Sequence, residues 1–209
     1  MFLKTITKET KRNMELLRGT DLAKDFYLAG GTGLALQIGH RRSIDLDFFC
    51  RDEFNTMDIK NKLSRLGRFS VTKEEKNTLN GILNGTRISY FHYLHPLLYP
   101  FKKLTGIKIA ASMDIACMKV DVISSRGLRK DFIDMYFLCR KVKGLGQILK
   151  IFKRKYKSIA YNEMHILKSM VYFKDADDDP MPDLLVDIDW DKVKTFFREE
   201  VKKLKPHFL

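Results

Sequence analysis

Two aspartates one residue apart, Asp45 and Asp47, are the residues of this chain whose type and spacing best suit chemistry. They close the run 27–49, YLAGGTGLALQIGHRRSIDLDFF. That run reads as a short apolar strand over 26–29, a turn of two glycines, a short helix, a basic connector and a second strand. Residues two apart on a strand share a face, so Asp45 and Asp47 point one way while Ile44, Leu46 and Phe48 point the other, into the core. Two carboxylates held side by side on a strand suit magnesium, a hard cation that takes oxygen ligands and bridges to substrate phosphates. Upstream, Gly30, Gly31 and Thr32 sit between strand and helix. Glycines there let the backbone approach a ligand, and the free N–H groups at a helix start favour phosphate oxygens. Arg41 and Arg42 lie between the two features. Ser43 shares the face of the aspartates and is placed to contact a phosphate. A phosphate cradle and metal carboxylates within one supersecondary unit make the apparatus of metal-assisted phosphoryl or nucleotidyl transfer. Taken singly, a D-x-D is as readily the wet face of a strand and a Gly-Gly pair a tight turn. It is their occurrence together, in order, that points to a site.

These residues need a scaffold, and the chain has one. Its 209 residues suffice for one sizeable domain, or for a catalytic core with an appended bundle. Hydrophobic residues make up 44% and charged residues 31%, the balance of a soluble globular protein. The formal net charge is +13, yet residues 175–191 hold eight aspartates and no Lys or Arg. A basic body with one acidic segment fits a polyanionic partner, nucleic acid or nucleoside triphosphate, or simply solubility from excess lysine. Cys50, Cys117 and Cys139 are scattered, odd in number and in no metal spacing, as expected of reduced cysteines in a cytoplasmic protein. The first residues, MFLKTITKETKRNMELL, mix charge with apolar residues and predict no signal peptide. No apolar run approaches the ~20 residues of a membrane span.

The coarse pattern is α+β. A helix is predicted over 4–18 with Ile6, Met14 and Leu17 inward, then a break over 20–25 before the glycine unit. Thr56 is positioned to cap a helix running to Leu66, with Gly67 ending it. Short strands follow at 69–72, 78–83 and 87–93, with Asn84-Gly85 a hairpin signal, and 107–110 reads as an edge strand. From Ser112 the periodicity becomes helical, over 114–124, 130–143, a strongly basic 148–157, 162–173 and 190–204. The expected organisation is a nucleotide-handling core over 1–110, a small mixed sheet flanked by helices. A helical half over 111–209 packs on it.

A second polar constellation lies in 114–136, DIACMKVDVISSRGLRKDFIDMY. Asp114, Met118 and Asp121 fall at helical spacing, Lys119 and Arg126 share a helical face, and Asp131 and Asp134 share another. By themselves the last two also read as acids favoured by the dipole at a helix start. The acidic stretch 172–185 fails as a calcium loop, with Pro180 where glycine is needed and Val186 where a glutamate is, and reads as a helix stop. His40, His92, His95, His165 and His207 form no spaced ligand set. His40 either lies near substrate or hydrogen-bonds structurally.

The run G-G-T-x-L-A-L-x-x-G-H-R-x-S-x-D-x-D-F-F, carried by Gly30, Gly31, Thr32, Leu34, Ala35, Leu36, Gly39, His40, Arg41, Ser43, Asp45, Asp47, Phe48 and Phe49, resembles the signature of the AbiEii/AbiGii-type nucleotidyltransferase toxins. These belong to the polymerase-beta-like nucleotidyltransferase superfamily. A second block of the family, a lysine on a helix, an arginine, then a basic residue before D-x-x-D-[LM]-Y, is similar to Lys119, Arg126, Lys130, Asp131, Asp134 and Tyr136. The acidic run Y-F-x-D-A-x-x-D-P-x-P is also similar to one in bacterial members.

The resemblance implies a nucleotidyltransferase-like fold and a magnesium-dependent transfer of a nucleoside monophosphate from a nucleoside triphosphate to an acceptor hydroxyl. Asp45 and Asp47 would hold Mg2+, and Gly30, Gly31 and Thr32 would cradle phosphate. Arg41 or Arg42, with Lys119, would neutralise the triphosphate, and Arg126 joins the nucleotide-binding set. Asp131 would complete the active site, where the role of base for the incoming hydroxyl is open to it, and Asp134 would orient a basic side chain. Superfamily enzymes often carry a third carboxylate on a neighbouring strand. Here that position falls on Ser89, so either Asp131 fills the role or metal binding is weaker. The implied setting is the toxin of a bacterial toxin–antitoxin or phage-defence pair, with a cognate antitoxin as partner. RNA, tRNA in some relatives, is the acceptor that the basic charge favours over a protein or small molecule. The alternative is a degenerate nucleotidyltransferase fold that binds RNA or protein without catalysis.

Overall fold

The structure is a computed structural model and describes residues 1–204; His207 lies outside the described residues. The chain divides into two compact units, Met1–Ala111 and Ser112–Leu209.

The first unit opens with a 3-10 turn, Leu3–Thr5, and helices α1 (Lys8–Leu17) and α2 (Asp21–Lys24). Strand β1 (Tyr27–Leu28), helix α3 (Gly30–Ile38), strand β2 (Leu46–Cys50) and helix α4 (Thr56–Leu66) follow. Strands β3 (Phe69–Glu75), β4 (Thr78–Leu83), β5 (Thr86–His92), β6 (Lys102–Leu104) and β7 (Ile107–Ile109) complete it. The seven strands of the described residues form one sheet in the order β3-β4-β5-β2-β1-β7-β6. It is mixed: β2 runs parallel to β5, β1 parallel to β7, and β1 antiparallel to β2. The expected α+β class and mixed sheet hold.

Period-2 patterning fixes how β2 sits. Leu46, Phe48 and Cys50 are buried while Asp47 and Phe49 are half-buried on the opposite face. Phe48 stacks on Tyr90 with ring centroids 5.2 Å apart. Full burial of Leu46 and Phe48 contributes about 1.5–3 kcal/mol each, which anchors the strand carrying Asp47. The hairpin between β4 and β5 turns through Asn84 and Gly85, both at positive φ (47° and 84°), as a two-residue turn requires. Thr7 caps α1 by accepting from Thr10 N–H at 3.1 Å.

Several expectations need correction. β2 begins at Leu46, so Asp45 sits in the extended lead into the strand rather than on it. Ile44 is 51% exposed instead of buried, because the sheet register starts at Leu46 opposite Ile88 and no ladder reaches back to it. Residues 107–110 supply an interior strand: β7 lies between β1 and β6, and β6 is the edge. Asn55 caps α4, accepting from Met57 N–H at 2.8 Å, while Thr56 donates to Glu74 Oε1 at 2.6 Å. The break over 20–25 contains α2.

The second unit is helical: α5 (Ser112–Arg126), α6 (Arg129–Lys141), α7 (Leu145–Lys155), α8 (Glu163–Ser169), α9 (Lys174–Asp178) and α10 (Trp190–Leu204). The helix expected over 162–173 therefore stops early, and Phe173 instead turns into an aromatic core. Phe132 gathers Phe173, Phe197 and Trp190 at 5.0, 5.5 and 6.0 Å between centroids. The acidic segment is tied down by Asp177, which accepts from Trp190 Nε1 at 2.6 Å and pairs with Lys194 at 3.1 Å. These contacts, the indole hydrogen bond first, hold its carboxyl below the usual range. Arg129 donates to the Ala176 and Asp177 carbonyls at 2.9 and 2.6 Å. No helix among the described residues is long and apolar enough to cross a membrane.

Candidate active site

The glycine unit is built around close approach. Gly30 opens α3 at φ +61°, and a Cβ added there would stand 2.8 Å from Asp47 Oδ2. At Gly31 a Cβ would overlap Arg41 Nη2 and stand 3.0 Å from Ser43 Oγ. The two positions accept glycine because the backbone lies directly against a carboxylate on one side and a guanidinium on the other. Thr32, 1% exposed, donates its hydroxyl to the Asp45 carbonyl at 2.5 Å and lies 3.0 Å from Ser43 Oγ. It ties the start of α3 to the connector. Gly30, Gly31, Thr32, Arg41, Ser43, Asp45 and Asp47 are thus brought together by one short unit.

The basic connector is split. Arg41 is 5% exposed and donates Nη1 to the Arg42 carbonyl at 3.0 Å, whereas Arg42 is exposed. His40 is fully buried, which removes it from direct contact with solvent-borne substrate in this state and favours the structural of its two readings.

Asp45 and Asp47 line a cleft of about 420 Å³ with Ser89, Asn80, Arg87 and Thr72. That volume lies in the range of ligand pockets, about 300–1,000 Å³. Sheet register builds it. Asp47 pairs with Ser89 and Ser89 with Asn80, so the three stand in a row across β2, β5 and β4 on one face. Asn80 Oδ1 is buried with no hydrogen-bond partner, an acceptor whose burial is costly until something donates to it. Arg87 and Asn80 were missed in the sequence, since their place beside Asp47 depends on the parallel pairing of β2 with β5 across 40 residues of chain.

No group of three or more His, Cys, Asp or Glu side chains among the described residues is arranged to hold a metal. The donors in the cleft are nonetheless all oxygen: two carboxylates with a hydroxyl on the adjacent strand. Magnesium binds through one or two carboxylates and completes its shell with water and phosphate, so this set fits it.

In the second unit Lys119, on α5, reaches Asp131 Oδ1 at 2.7 Å and Asp134 Oδ2 at 2.6 Å on α6, all three buried. Asp131 also accepts from the Leu128 N–H at 3.3 Å, so it serves the helix start as well as the lysine. One ammonium thus bridges two carboxylates on the neighbouring helix. Gripping a triphosphate would require the lysine to exchange a carboxylate for a phosphate. Arg126 is exposed at the end of α5. A second ion pair, Lys155 Nζ to Asp114 Oδ1 at 2.9 Å, is fully buried, so one of the cations of the basic helix is internal.

Comparison with solved structures defines the class first. MenT4, the nucleotidyltransferase toxin Rv2826c from Mycobacterium tuberculosis H37Rv, superposes with a TM-score of 0.59 at 14% identity, over 94% of this chain and 82% of that one. JHP933 from Helicobacter pylori gives 0.53 at 16% identity, over 97% and 96%. At these identities the likeness is one of fold, and the fold is that of the nucleotidyltransferases. The family model for the nucleotidyl transferase AbiEii toxin of type IV toxin–antitoxin systems matches residues 15–95, the stretch that holds the glycine unit, both aspartates and Ser89. Over these residues the chain matches the AbiEii nucleotidyltransferase toxin family, and the protein is a nucleotidyltransferase. Along its length it is 38% identical to the uncharacterized protein aq_aa25 of Aquifex aeolicus (strain VF5), over 206 residues covering 96% of this chain and 98% of that one.

Proposed function

We propose that the protein transfers a nucleoside monophosphate from a nucleoside triphosphate to a hydroxyl of RNA, tRNA being the favoured acceptor. It acts in the cytoplasm as the toxin of a toxin–antitoxin or phage-defence pair held in check by a cognate antitoxin. The observation that carries this reading is the packing of the Gly30–Gly31 backbone against Asp47, Arg41 and Ser43 beside the cleft that Asp45 and Asp47 line. Asp45 and Asp47 are the residues that would hold Mg2+, which when bound offsets phosphate charge and favours the leaving of pyrophosphate. The Gly30–Gly31–Thr32 backbone receives phosphate oxygens at the start of α3. Arg41, buried against Gly31, supplies fixed positive charge there, and Arg42 and Ser43 contact the triphosphate from the connector. In the helical unit Lys119 pairs with Asp131 and Asp134 and orients them, Asp131 accepts the proton of the incoming hydroxyl, and Arg126 contributes surface charge for the nucleotide.

The test supplies purified protein with magnesium, each α-labelled nucleoside triphosphate in turn and total bacterial RNA, beside an Asp45→Ala/Asp47→Ala control. Label entering RNA with the wild type alone is expected. No label in RNA, protein or small molecules with any of the four nucleotides would overturn the reading in favour of a binding module. Magnesium with the triphosphate is also expected to raise the melting temperature of the wild type and not that of the control, by mass action.

A further inference from the structure

Helix α7 carries a surface that the transfer site does not use. Its inner face, Leu145, Ile148, Leu149 and Phe152, is buried. Its outer face presents Lys150, Lys153 and Arg154, all exposed, with Lys157 one turn beyond. Lys150, Lys153 and Arg154 stand at i, i+3 and i+4 and share one helical face, and Lys157 follows in the turn after the helix. From Lys143 to Lys157 the chain has six cations and no acid. Like charges at these spacings oppose one another along a helix. The helix dipole favours cations in the last turn, and Lys153 gains Glu163 at 2.7 Å. Neither compensates Lys150, and the stripe stays strongly positive.

Beside this stripe, between the end of α7 and the start of α8, opens a cleft of about 270 Å³. It is lined by the buried Phe152, Tyr156 and Ile166, by the half-buried Tyr161, and by Lys153, Lys157 and Glu163. The three rings interlock, with centroids 4.6 Å (Phe152–Tyr156), 4.8 Å (Phe152–Tyr161) and 5.6 Å (Tyr156–Tyr161) apart. Tyr161 is half-buried, and its hydroxyl donates to Asp121 Oδ1 at 3.1 Å, which holds the ring in place from behind. The volume of about 270 Å³ falls just below the ligand-pocket range of about 300–1,000 Å³, the size for one flat ring rather than a whole nucleotide.

We propose that this surface binds single-stranded nucleic acid, one unstacked base entering the aromatic cleft while the neighbouring phosphates run along Lys150, Lys153, Arg154 and Lys157. A cationic track beside a stacking pocket is the combination by which single strands are held without sequence readout. An acidic protein would use the cations and leave the open face of Tyr161 unused. A membrane surface would need apolar side chains among the outward residues of α7, where Gln147, Lys150, Lys153 and Arg154 stand instead. The inference deepens the reading of RNA as acceptor, and it rests on that reading for the strand's identity.

The test is a fluorescence-anisotropy titration of the full chain with a labelled single-stranded RNA 12-mer at several salt concentrations, without nucleotide or magnesium. Lys150→Gln/Arg154→Gln is expected to weaken binding at least tenfold near physiological salt. It should also flatten the log K against log salt slope by about 1.4, two contacts at about 0.7 each. Ala160→Trp, at an exposed position on the cleft lining, and Tyr161→Ala should each bring the affinity for ordinary RNA down to that for the same strand with abasic positions, with the slope unchanged. An unaltered slope in the charge variant would overturn the proposal. So would equal wild-type affinity for ordinary and abasic strands, or competition by polyglutamate as effective as by RNA of equal charge. Because nucleotide is absent, RNA binding without label transfer refutes the catalytic reading alone. Transfer by the charge variant at wild-type KM for RNA refutes this proposal alone.

Discussion

Replacing Gly30 with alanine separates backbone strain from damage to the site, because the chain contains a matched control. Gly30 and Gly19 both hold positive φ, +61° and +77°, but a Cβ at Gly19 meets nothing within 4 Å while one at Gly30 stands 2.8 Å from Asp47 Oδ2. The left-handed conformation costs an L-residue about 1–2 kcal/mol at either place. For a chain of this length each kcal/mol lowers Tm by about 2–4 °C, so both Gly19→Ala and Gly30→Ala should melt about 2–8 °C below wild type. Only Gly30→Ala also moves the carboxylate, which must withdraw by roughly half an ångström to reach ordinary contact. A misplacement of about 1 Å costs up to a hundredfold in rate, so a loss of about 10- to 100-fold is expected, equivalent to about 1.4–2.7 kcal/mol of transition-state stabilisation. The assay is the initial rate of label transfer at saturating nucleotide, read beside thermal melts of both variants. Gly30→Ala transferring within about twofold of Gly19→Ala would refute the claim that the glycine exists to admit the Asp47 carboxylate.

Other outcomes follow from burial and pairing. Lys155→Met removes the buried ammonium that Asp114 faces at 2.9 Å in the helical core, and should cost about 3–5 kcal/mol in urea unfolding. Lys155→Met/Asp114→Leu should recover much of that, since a buried pair contributes little net stability over apolar residues of similar volume. Burial pushes the thiols of Cys117 and Cys139 up to about 12 and that of Cys50 to about 11. At pH 7.5 the folded protein should therefore resist alkylation by iodoacetamide, all three cysteines labelling only after denaturation; rapid labelling of Cys117 in native protein would contradict its environment. Asp177, held below the usual carboxylate range by Trp190 and Lys194, stabilises the fold above the unfolded carboxyl value near 3.9 and loses that contribution as pH falls through its depressed folded value. The side chain is half-exposed, so the effect is small. Asp177→Asn should lower Tm slightly at pH 7, and the difference from wild type should vanish in strong acid.

Local sequence carried most of the candidate site. The order strand, Gly-Gly-Thr, helix, basic connector and D-x-D was legible because each part is set by neighbours in the chain: glycine for left-handed φ and close approach, period-2 burial for β2, and 3.6-residue periodicity for the helices after Ser112. The hairpin through Asn84-Gly85 was legible for the same reason, and Lys119, Asp131 and Asp134 stood out by resemblance and helical spacing. What the chain could not show by itself was which strands become neighbours. β2 pairs in parallel with β5, forty residues on, and only that register sets Ser89, Asn80 and Arg87 beside Asp47. The same ladder, starting at Leu46, leaves Ile44 exposed despite its alternating pattern. Charge behaved alike. Lys155 reads as one more cation of a basic helix until packing turns it inward to Asp114, whereas Lys150, Lys153, Arg154 and Lys157 remain outside. Conformation and periodicity are local properties, written in runs of a few residues. Pairing partners and the side chains that end up desolvated are decided by the tertiary fold, because their energies come from contacts between residues far apart in the chain.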